Sequence, residues 1–466
     1  MNYIVIDQGT SSTKAFLFNS KGKIIHNNKI KHVLENPKKF HFESDPIEIL
    51  KSVEKLFWEM VNKSGNTPIK SAGLSIQRST FMFWNKKTKR PLTPAISWQD
   101  SRASDSIKKI MIHRDKLWKI TGTPLSPHFG GPKFLYFVKN NYSLNKLIKD
   151  EKVYFGPLSS FLTHSMTNNI GIDNSIACRT LLFDIAKNKW SKFALSLFAV
   201  PESCLPPIVP VKQNHGNIFN SNIELNVVIG DQQAALIGHN GLQKNTLAAN
   251  YGTSASIQLN VGPYPKVING LISSILFSNS KERVYMVEGT INSCNSLFYY
   301  LEKKLNINHR IMNWNERVKS VTTDGIFIPG FSGIASPYWK SGFEDILINL
   351  DSNINQTIRA AMESIGLLTN DILNCLKKNK FNVDNDLIVA GGAAKPSLLQ
   401  FIADVTGKHI HLTKLKDKTA YGVLKILLNQ LGQTSNVKLN EKKTFLPQKK
   451  DKSKVEKWHK AINKYL

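Results

Sequence analysis

Clustered cysteine and histidine residues are lacking in this chain. Its four cysteines, Cys178, Cys204, Cys294 and Cys375, lie far apart, form no CxxC pair and have no grouped histidines that could complete a metal site. This distribution argues against a disulfide framework and against a zinc site of ordinary spacing. Low-complexity tracts are missing as well, so the chain is predicted to be globular throughout. We therefore expect reduced thiols and a cytoplasmic protein.

Long apolar runs are also absent. The first residues, MNYIVIDQGT, contain an apolar run that is too short for a signal peptide and is followed at once by an acidic residue. No later stretch approaches the length of about 20 apolar residues that a membrane-spanning helix needs. The sequence therefore predicts no membrane partner.

Acidic residues are few beside the basic ones. The chain has 62 Lys and Arg against 34 Asp and Glu, a net charge of +28 and a pI near 9.8. Such an excess is common among proteins that bind nucleic acid. Here the lysines are spread along the chain, are densest between Lys442 and Lys460, and form no basic motif interleaved with aromatics. We interpret the charge as a solvated surface that attracts phosphorylated ligands, with no specific nucleic-acid partner.

The length and one repeated pattern indicate two lobes. A chain of 466 residues exceeds what one core usually supports. The apolar strand Tyr3–Asp7 leads into Gly-Thr-Ser-Ser-Thr at 9–13 and a returning strand, and a near copy, Gly-Thr-Ser-Ala-Ser, follows at 252–256. Each loop is a hairpin tip whose N–H groups and hydroxyls suit an anion. We predict duplicated lobes over 1–228 and 229–466 that face one ligand.

A third loop, rich in glycine, also has the composition of an anion-binding segment. Residues 386–390 form a predicted strand, Gly391-Gly392-Ala393-Ala394 come next, and a helix is predicted from Ser397 to Val405. Paired glycines before a helix N-terminus let the backbone approach a nucleotide closely.

In sequence, the chain resembles the FGGY family of carbohydrate kinases, within the actin and hexokinase superfamily, and the glycerol kinases in particular. The resemblance rests on eight segments in order: DQGTSSTKAFLF from Asp7, QRST from Gln77, PAISWQDSRA from Pro94, CRTLLFDI from Cys178, GDQQAALIGH from Gly230, NYGTSAS from Asn250, FIPGFSGIASPYW from Phe327 and VAGGAA from Val389. It implies an α/β fold of two actin-like (ribonuclease H-like) lobes with a nucleotide cleft between them. It also allows a homodimer.

The resemblance implies a site for ATP and Mg²⁺. Asp7 would hold Mg²⁺ through water, as that ion prefers carboxylates, phosphates and its own hydration shell. Lys14 stands where glycerol kinases place an arginine near the phosphates, so the charge is kept and the bidentate geometry is lost. The implied nucleotide-binding residues are Thr10, Ser11, Ser12, Lys14, Gly252, Thr253, Asn295, Gly391, Gly392 and Ala393.

The acceptor side is implied in the same way. Asp231, at a strand end in GDQQAA, matches the carboxylate that acts as general base and accepts the proton of the attacking hydroxyl. Arg78 and Trp98 match the polyol pocket, with a fork of donors and an apolar wall, and Gln232 can donate to and accept from a hydroxyl. The expected substrate is a small polyol or sugar.

Several residues depart from the glycerol-kinase pattern. Ser79 replaces a glutamate, His128 a tyrosine and Ser256 a phenylalanine, which predicts a larger and wetter pocket for a longer polyol or a ketose. Asn295 replaces a glycine, Pro396 an asparagine and Ala335 a glycine on the nucleotide side. Three alternatives stay open: a xylulose or ribulose kinase, a degenerate sugar or nucleotide sensor, and a nucleic-acid-associated protein. Retention of Asp7, Thr10, Asp231 and Thr253 argues against the sensor.

Overall fold

The computed structural model describes residues 1–239, 241–350, 353–383, 386–415, 417–429, 441–448 and 452–466. The strands are β1 (Asn2–Gln8), β2 (Ser12–Asn19), β3 (Ile24–Lys31), β4 (Glu43–Ser44), β5 (Ile69–Ile76), β6 (Phe81–Asn85), β7 (Ala95–Ile96), β8 (Val153–Pro157), β9 (Ile172–Asp173), β10 (Phe183–Asp184), β11 (Lys189–Trp190), β12 (Ile208–Val209), β13 (Leu225–Gly230), β14 (Leu247–Tyr251), β15 (Ala255–Gly262), β16 (Ile272–Ser278), β17 (Arg283–Ile291), β18 (Ile326–Ile328), β19 (Ile346–Ile348), β20 (Leu387–Ala390), β21 (Ile410–Thr413) and β22 (Glu441–Phe445).

The α-helices are α1 (Pro46–Ser64), α2 (Ser104–Lys108), α3 (Arg114–Thr121), α4 (Gly130–Asn140), α5 (Tyr142–Lys149), α6 (Leu158–Thr167), α7 (Asn174–Ala177), α8 (Lys192–Leu197), α9 (Asp231–Gly238), α10 (Asn295–Lys304), α11 (His309–Met312), α12 (Trp314–Arg317), α13 (Ile354–Lys378), α14 (Pro396–Thr406), α15 (Lys418–Leu427) and α16 (Lys452–Tyr465). Short 3₁₀ turns lie at Met111–His113, Glu202–Cys204 and Ile218–Asn220.

The first lobe is built on a five-stranded sheet with the order β13-β5-β1-β2-β3. Antiparallel hairpins join β1, β2 and β3, whereas β5 and β13 lie parallel on the other side of β1. The predicted helix near 45–62 is confirmed as α1. Asp45 caps it by accepting the N–H of Ile47 at 2.7 Å, and its apolar stripe, including Leu56 and Phe57, is buried against the sheet.

The second lobe repeats this plan. Its seven-stranded sheet has the order β16-β17-β15-β14-β20-β21-β22, so the run β17-β15-β14-β20-β21 reproduces the strand order of the first sheet. The hairpins are again antiparallel and the last two strands of the run are again parallel to β14. The two glycine-threonine-serine loops therefore occupy equivalent corners, between β1 and β2 and between β14 and β15.

Helices α9 and α15 cross between the two sheets. A cluster of buried apolar side chains from both lobes surrounds them, including Val5, Phe16 and Ala248. The crossing is close because Gly422 lies on the backbone of α9: a Cβ added there would be 1.8 Å from the carbonyl oxygen of Ala234. The floor of the cleft is therefore a tightly packed helix pair.

The division expected after residue 228 falls within β13. The whole strand, from Leu225 to Gly230, pairs with β5 and so belongs to the first sheet. The apolar strand from Tyr3, which ends in an acidic residue, is the first strand of its lobe, whereas the similar strand at Val227 is the last strand of the same lobe. The two patterns look alike because a buried parallel strand also has an apolar composition. We propose a division after α9, between Gly238 and Leu247.

All four cysteines are free, three of them buried. Within the described part of the chain, every helix is too short or too polar to cross a membrane.

Candidate active site

The first phosphate-binding candidate is the turn between β1 and β2. The N–H of Gly9 donates to the carbonyl of Ser12 at 2.9 Å, which closes the turn around Thr10 and Ser11. The hydroxyl of Thr10 accepts from the indole N–H of Trp98 at 2.9 Å and donates to Oε1 of Gln77 at 3.2 Å. The phosphate loop is thus tied to the residue predicted to form the acceptor wall.

Asp7 and Lys14 face each other across this hairpin. They are paired residues of β1 and β2, and they share the sheet face of Val5, which packs toward the α9 and α15 pair. Burial, together with the charge of Asp231, raises the pKa of Asp7 to about 6, although Lys14 acts in the opposite direction. Lys14 itself forms an ion pair of 3.3 Å with Asp417, which immediately precedes α15.

The environment of Asp7 fits a cation bound mainly by other ligands. The carboxylate accepts a hydrogen bond from the hydroxyl of Ser75 at 3.2 Å, and its pKa is raised by burial first and by the charge of Asp231 second. Among the described residues, no three His, Cys, Asp or Glu side chains come close enough to hold a metal by themselves. Such an arrangement suits Mg²⁺, which keeps several waters and shares its remaining ligands with phosphates.

The second hairpin is held by the start of α10. The N–H of Gly252 donates to the carbonyl of Ser254, and the carbonyl of Thr253 accepts the N–H of Cys294 at 2.8 Å. The N–H of Asn295 donates to the carbonyl of Gly252 at 2.9 Å. Asn295, which the sequence predicts to bind the nucleotide, lies beside the loop, and its N–H is used to shape that loop.

The paired glycines after β20 complete this side of the cleft. Gly391 has a φ of +114°, and a Cβ there would be 2.1 Å from the carbonyl of Tyr251, so a side chain cannot be accommodated. The N–H of Ala393 donates to the same carbonyl at 2.9 Å, whereas nothing lies within 4 Å of a Cβ added at Gly392. The loop thus lies on the second hairpin and presents open backbone. Pro396 occupies the first turn of α14, where proline is well tolerated.

Asp231 is the first residue of α9, directly after β13. Its Oδ1 accepts the N–H of Gln232 at 2.7 Å and lies 3.5 Å from Nε of Arg78. Burial raises the pKa of Asp231, and the guanidinium of Arg78 partly offsets this effect. A carboxylate with a raised pKa beside a fixed cation is suited to accepting a proton.

Glu288 is a central residue of the site that the motif search missed. This glutamate on β17 is 1% exposed and accepts two hydrogen bonds from Arg78, at 2.8 and 2.9 Å. It also accepts from Arg179 and, at 2.7 Å, from the hydroxyl of Ser256. Arg78 belongs to the first lobe and Glu288 to the second, so this ion pair crosses the cleft.

Strand alternation could have indicated part of this arrangement. Asn250 pairs with Ser256, and Gln258 pairs with Glu288, so all four polar side chains lie on one face of the second sheet. Gln258 donates to the carbonyl of Gln232 in α9, which identifies that face as the one turned toward the cleft. Polar residues at alternate positions of otherwise buried strands were the available signal.

His128 and Ser79, two residues predicted for the acceptor pocket, are held by contacts with Trp98 and Lys133. His128 donates from Nδ1 to the carbonyl of Trp98 at 3.1 Å, and burial together with Lys133 lowers the pKa of His128 to about 4, so its ring is neutral at pH 7. Ser79 is buried with a φ of +63°, and its carbonyl accepts from the ammonium of Lys133 at 2.9 Å. Lys133 also donates to the carbonyl of Ser97 at 2.7 Å and so links the backbone at Ser79 to the backbone beside Trp98.

Comparison with known proteins agrees with this arrangement. The models of the FGGY family of carbohydrate kinases match residues 2–238 for the N-terminal domain and 247–428 for the C-terminal domain. Glycerol kinase from Mycoplasma genitalium is 29% identical over 99% of this chain and 97% of its own, and glycerol kinase 1 from Thermotoga maritima is 28% identical over the full length of both.

Solved structures show the same fold. Plasmodium falciparum glycerol kinase with ADP has a TM-score of 0.87 at 26% identity and covers 100% of this chain and 98% of its own. A ligand-bound xylulose kinase from Lactobacillus acidophilus has a TM-score of 0.85 at 18% identity, over 100% and 96% of the two chains. The predicted actin-like fold and the predicted enzyme class, a phosphotransferase with an alcohol group as acceptor, are confirmed. The chain belongs to the FGGY family of carbohydrate kinases.

Proposed function

We propose that this enzyme transfers the γ-phosphoryl group of ATP to a hydroxyl of a small polyol or ketose, with Asp231 as general base. The observation that carries this assignment is the position of Asp231. Its carboxylate lies 3.5 Å from the guanidinium of Arg78 and is electrostatically coupled to Asp7, at the phosphate hairpin. A proton acceptor, a fixed fork of donors and a phosphate loop thus meet in one cleft.

The proposed step is a direct displacement. The acceptor hydroxyl oxygen attacks the γ-phosphorus, the bond from that phosphorus to the β,γ-bridging oxygen breaks, and ADP leaves with that electron pair. The hydroxyl proton passes to the carboxylate of Asp231. Because the transition state of phosphoryl transfer is loose, positioning and charge compensation supply most of the catalysis.

The phosphates would be held from both lobes. We assign Thr10, Ser11 and Ser12 to one side, and Gly252, Thr253 and the open backbone at Gly392 to the other. Asp7 would hold Mg²⁺ through water, and the ion would offset charge on the β- and γ-phosphates. Its binding would also favour the charged form of Asp7, whose pKa is raised by burial and by the charge of Asp231.

The acceptor is proposed to be longer than glycerol. Ser79 and Ser256 are short, and the hydroxyl of Ser256 is engaged by Glu288. The carboxylate of Glu288 is 1% exposed and already bound by two guanidinium groups, so it orients Arg78 and does not reach the acceptor. A four- to seven-carbon polyol or ketose would use the space that these short side chains leave open.

Glycerol itself is the second candidate. The observation in its favour is that the curated relatives matching the whole chain at 28–29% identity are glycerol kinases. High activity on glycerol at low concentration would favour this substrate over the longer acceptors.

A coupled ADP-release assay tests the proposal. Mg-ATP is supplied with glycerol, erythritol, pentitols, xylulose, ribulose and heptuloses in turn, and Asp231→Asn is run in parallel. We expect turnover on a longer acceptor that is lost in Asp231→Asn. Binding of sugar or nucleotide in a thermal-shift experiment without turnover on any compound would contradict the kinase and favour a sensor.

A further inference from the structure

We propose that Lys418 binds the phosphate groups of the nucleotide, as a cation that the motifs shared with the family do not include. The proposal rests on the kinase function proposed above. Lys418 is the first residue of α15, and it is partly buried where the start of that helix meets the second lobe.

The start of α15 joins the phosphate-binding segments of both lobes. Oδ1 of Asp417 forms an ion pair of 3.3 Å with Nζ of Lys14, which belongs to the first hairpin. The next residue, Lys418, donates from Nζ to Oδ1 of Asn250, in the second lobe, at 2.6 Å. The residue before α15 and the first residue of that helix thus connect β2 to β14 across the floor of the cleft.

Asn250 lies next to both loops of the second lobe. It precedes Gly252 by two residues, and its Nδ2 is 3.8 Å from the position of a Cβ built on that glycine. It also pairs with Ala390, the residue before Gly391. An amine bonded to Asn250 is therefore within one side-chain length of the two segments proposed to hold the phosphates.

The charges in the cleft distinguish Lys418 from its neighbours. Arg78 is engaged by Glu288 and Asp231, and Lys14 is engaged by Asp417. The hydrogen-bond partner of Lys418 is a neutral amide, and burial alone lowers the pKa of Lys418 to about 8, with no carboxylate acting against it. Among the described residues, Lys418 therefore carries a positive charge with which no carboxylate forms an ion pair.

A polyphosphate would supply the missing counter-charge. Ammonium–phosphate hydrogen bonds are charge-assisted and are about twice as strong as neutral ones. A nearby phosphate would also favour the protonated amine, so nucleotide binding and protonation of Lys418 support each other. The alternative is that Lys418 only tethers Asn250 and thereby aligns the lobes.

The two explanations differ in the response to charge. Lys418→Gln keeps an N–H donor for Asn250 but loses the charge, Lys418→Arg keeps both, and Asn250→Ala removes the tether while keeping the amine. The readouts are the dissociation constant for Mg-ADP by calorimetry and the KM for ATP and for the acceptor. Thermal unfolding is measured for each variant, and Lys418→Met serves as a second neutral variant if Lys418→Gln is poorly folded.

We expect Lys418→Gln to weaken Mg-ADP binding and raise the KM for ATP by about tenfold or more, because a hydrogen bond to a charged group is lost. The KM for the acceptor should change by less than about twofold, since the acceptor contacts are untouched, and Lys418→Arg should restore most of the affinity. Unchanged ADP affinity in folded Lys418→Gln, or the same loss in Asn250→Ala, would overturn the proposal. A wild-type protein that binds Mg-ADP but phosphorylates nothing would instead contradict the proposed function, and the binding comparison would still test Lys418.

Discussion

Glu288→Gln tests the ion pair that joins the two lobes. The substitution keeps the size of the side chain and removes the charge that Arg78 and Arg179 share. Arg78 donates two hydrogen bonds to this carboxylate at 2.8 and 2.9 Å, and Arg179 donates another. Burial and the adjacent Arg78 lower the pKa of Arg179 to about 10, so the two guanidinium groups depend on Glu288 for compensation.

The size of the effect follows from the pKa of Glu288. Despite complete burial, the two guanidinium groups lower that pKa from 4.5 to about 2. At about 1.4 kcal/mol per unit of pH, this corresponds to about 3 kcal/mol of stabilisation of the folded protein at neutral pH. The value agrees with the about 3–5 kcal/mol lost when one partner of a buried ion pair is removed.

The pH dependence has a definite sign. Because the pKa is lower in the folded state, the stabilisation is complete above 4.5, the unfolded value, and is lost as the pH falls toward about 2. The difference in unfolding free energy between the wild type and Glu288→Gln should therefore be constant from pH 5 to pH 8 and should shrink in acid.

Urea unfolding at several pH values measures this difference, and Ser256→Ala is the matched control. Ser256 donates to the same carboxylate at 2.7 Å but carries no charge, so its removal should cost about 1.5 kcal/mol, the low end for a hydrogen bond to a charged group. Glu288→Gln should also move the acid limb of kcat/KM to lower pH, because Glu288 raises the pKa of Asp231. A Glu288→Gln protein with the wild-type unfolding midpoint and pH profile would refute the reasoning.

Three further predictions concern other carboxylates and their partners. Asp231→Asn should lower kcat by about 10²–10⁴-fold in the ADP-release assay and leave the Mg-ADP affinity measured by calorimetry nearly unchanged. Equal losses of kcat and of Mg-ADP affinity would argue against Asp231 as the general base. Asp7→Asn should abolish turnover. It should also raise the melting temperature of the nucleotide-free protein above pH 6, because the pKa of Asp7 is raised to about 6 in the folded state. This gain in melting temperature should vanish as the pH falls to 3.8, and a gain that does not depend on pH would contradict the account. His459→Ala should lower the melting temperature in acid, because the hydrogen bond to Asp371, at 2.7 Å, raises the pKa of His459. The difference in melting temperature between the wild type and His459→Ala should narrow as the pH rises through that pKa. Thermal scans in which this difference widens with pH would contradict the prediction.

Local sequence was sufficient for the elements that carry the phosphate loops. The predicted strands around Tyr3 and Ile257 and the predicted helices after Asp45 and Pro396 are all present. Hydrophobic period, capping residues and glycines act over a few residues, so a sequence pattern can identify them. The same patterns located Asp7 and Asp231 at strand ends and predicted the duplicated hairpins.

The lobe boundary shows where local pattern fails. The apolar strand before Asp231 would have the same composition as the first strand of the second sheet or as the last strand of the first sheet. Only its pairing with β5 assigns it to the first lobe. Strand pairing is a long-range property, so composition could not distinguish the two arrangements.

By itself, the sequence determined the two-lobe family fold, and it predicted the two hairpins and the two carboxylates that we assign to the site. Tertiary structure alone decided the partners of those groups. Arg78 meets Glu288 across 210 positions of the chain, and Lys14 meets Asp417 across 403. These contacts depend on which face of each sheet turns toward α9 and α15. The packing of the two lobes determines that face, and short-range sequence periodicity carries no information on how the lobes pack.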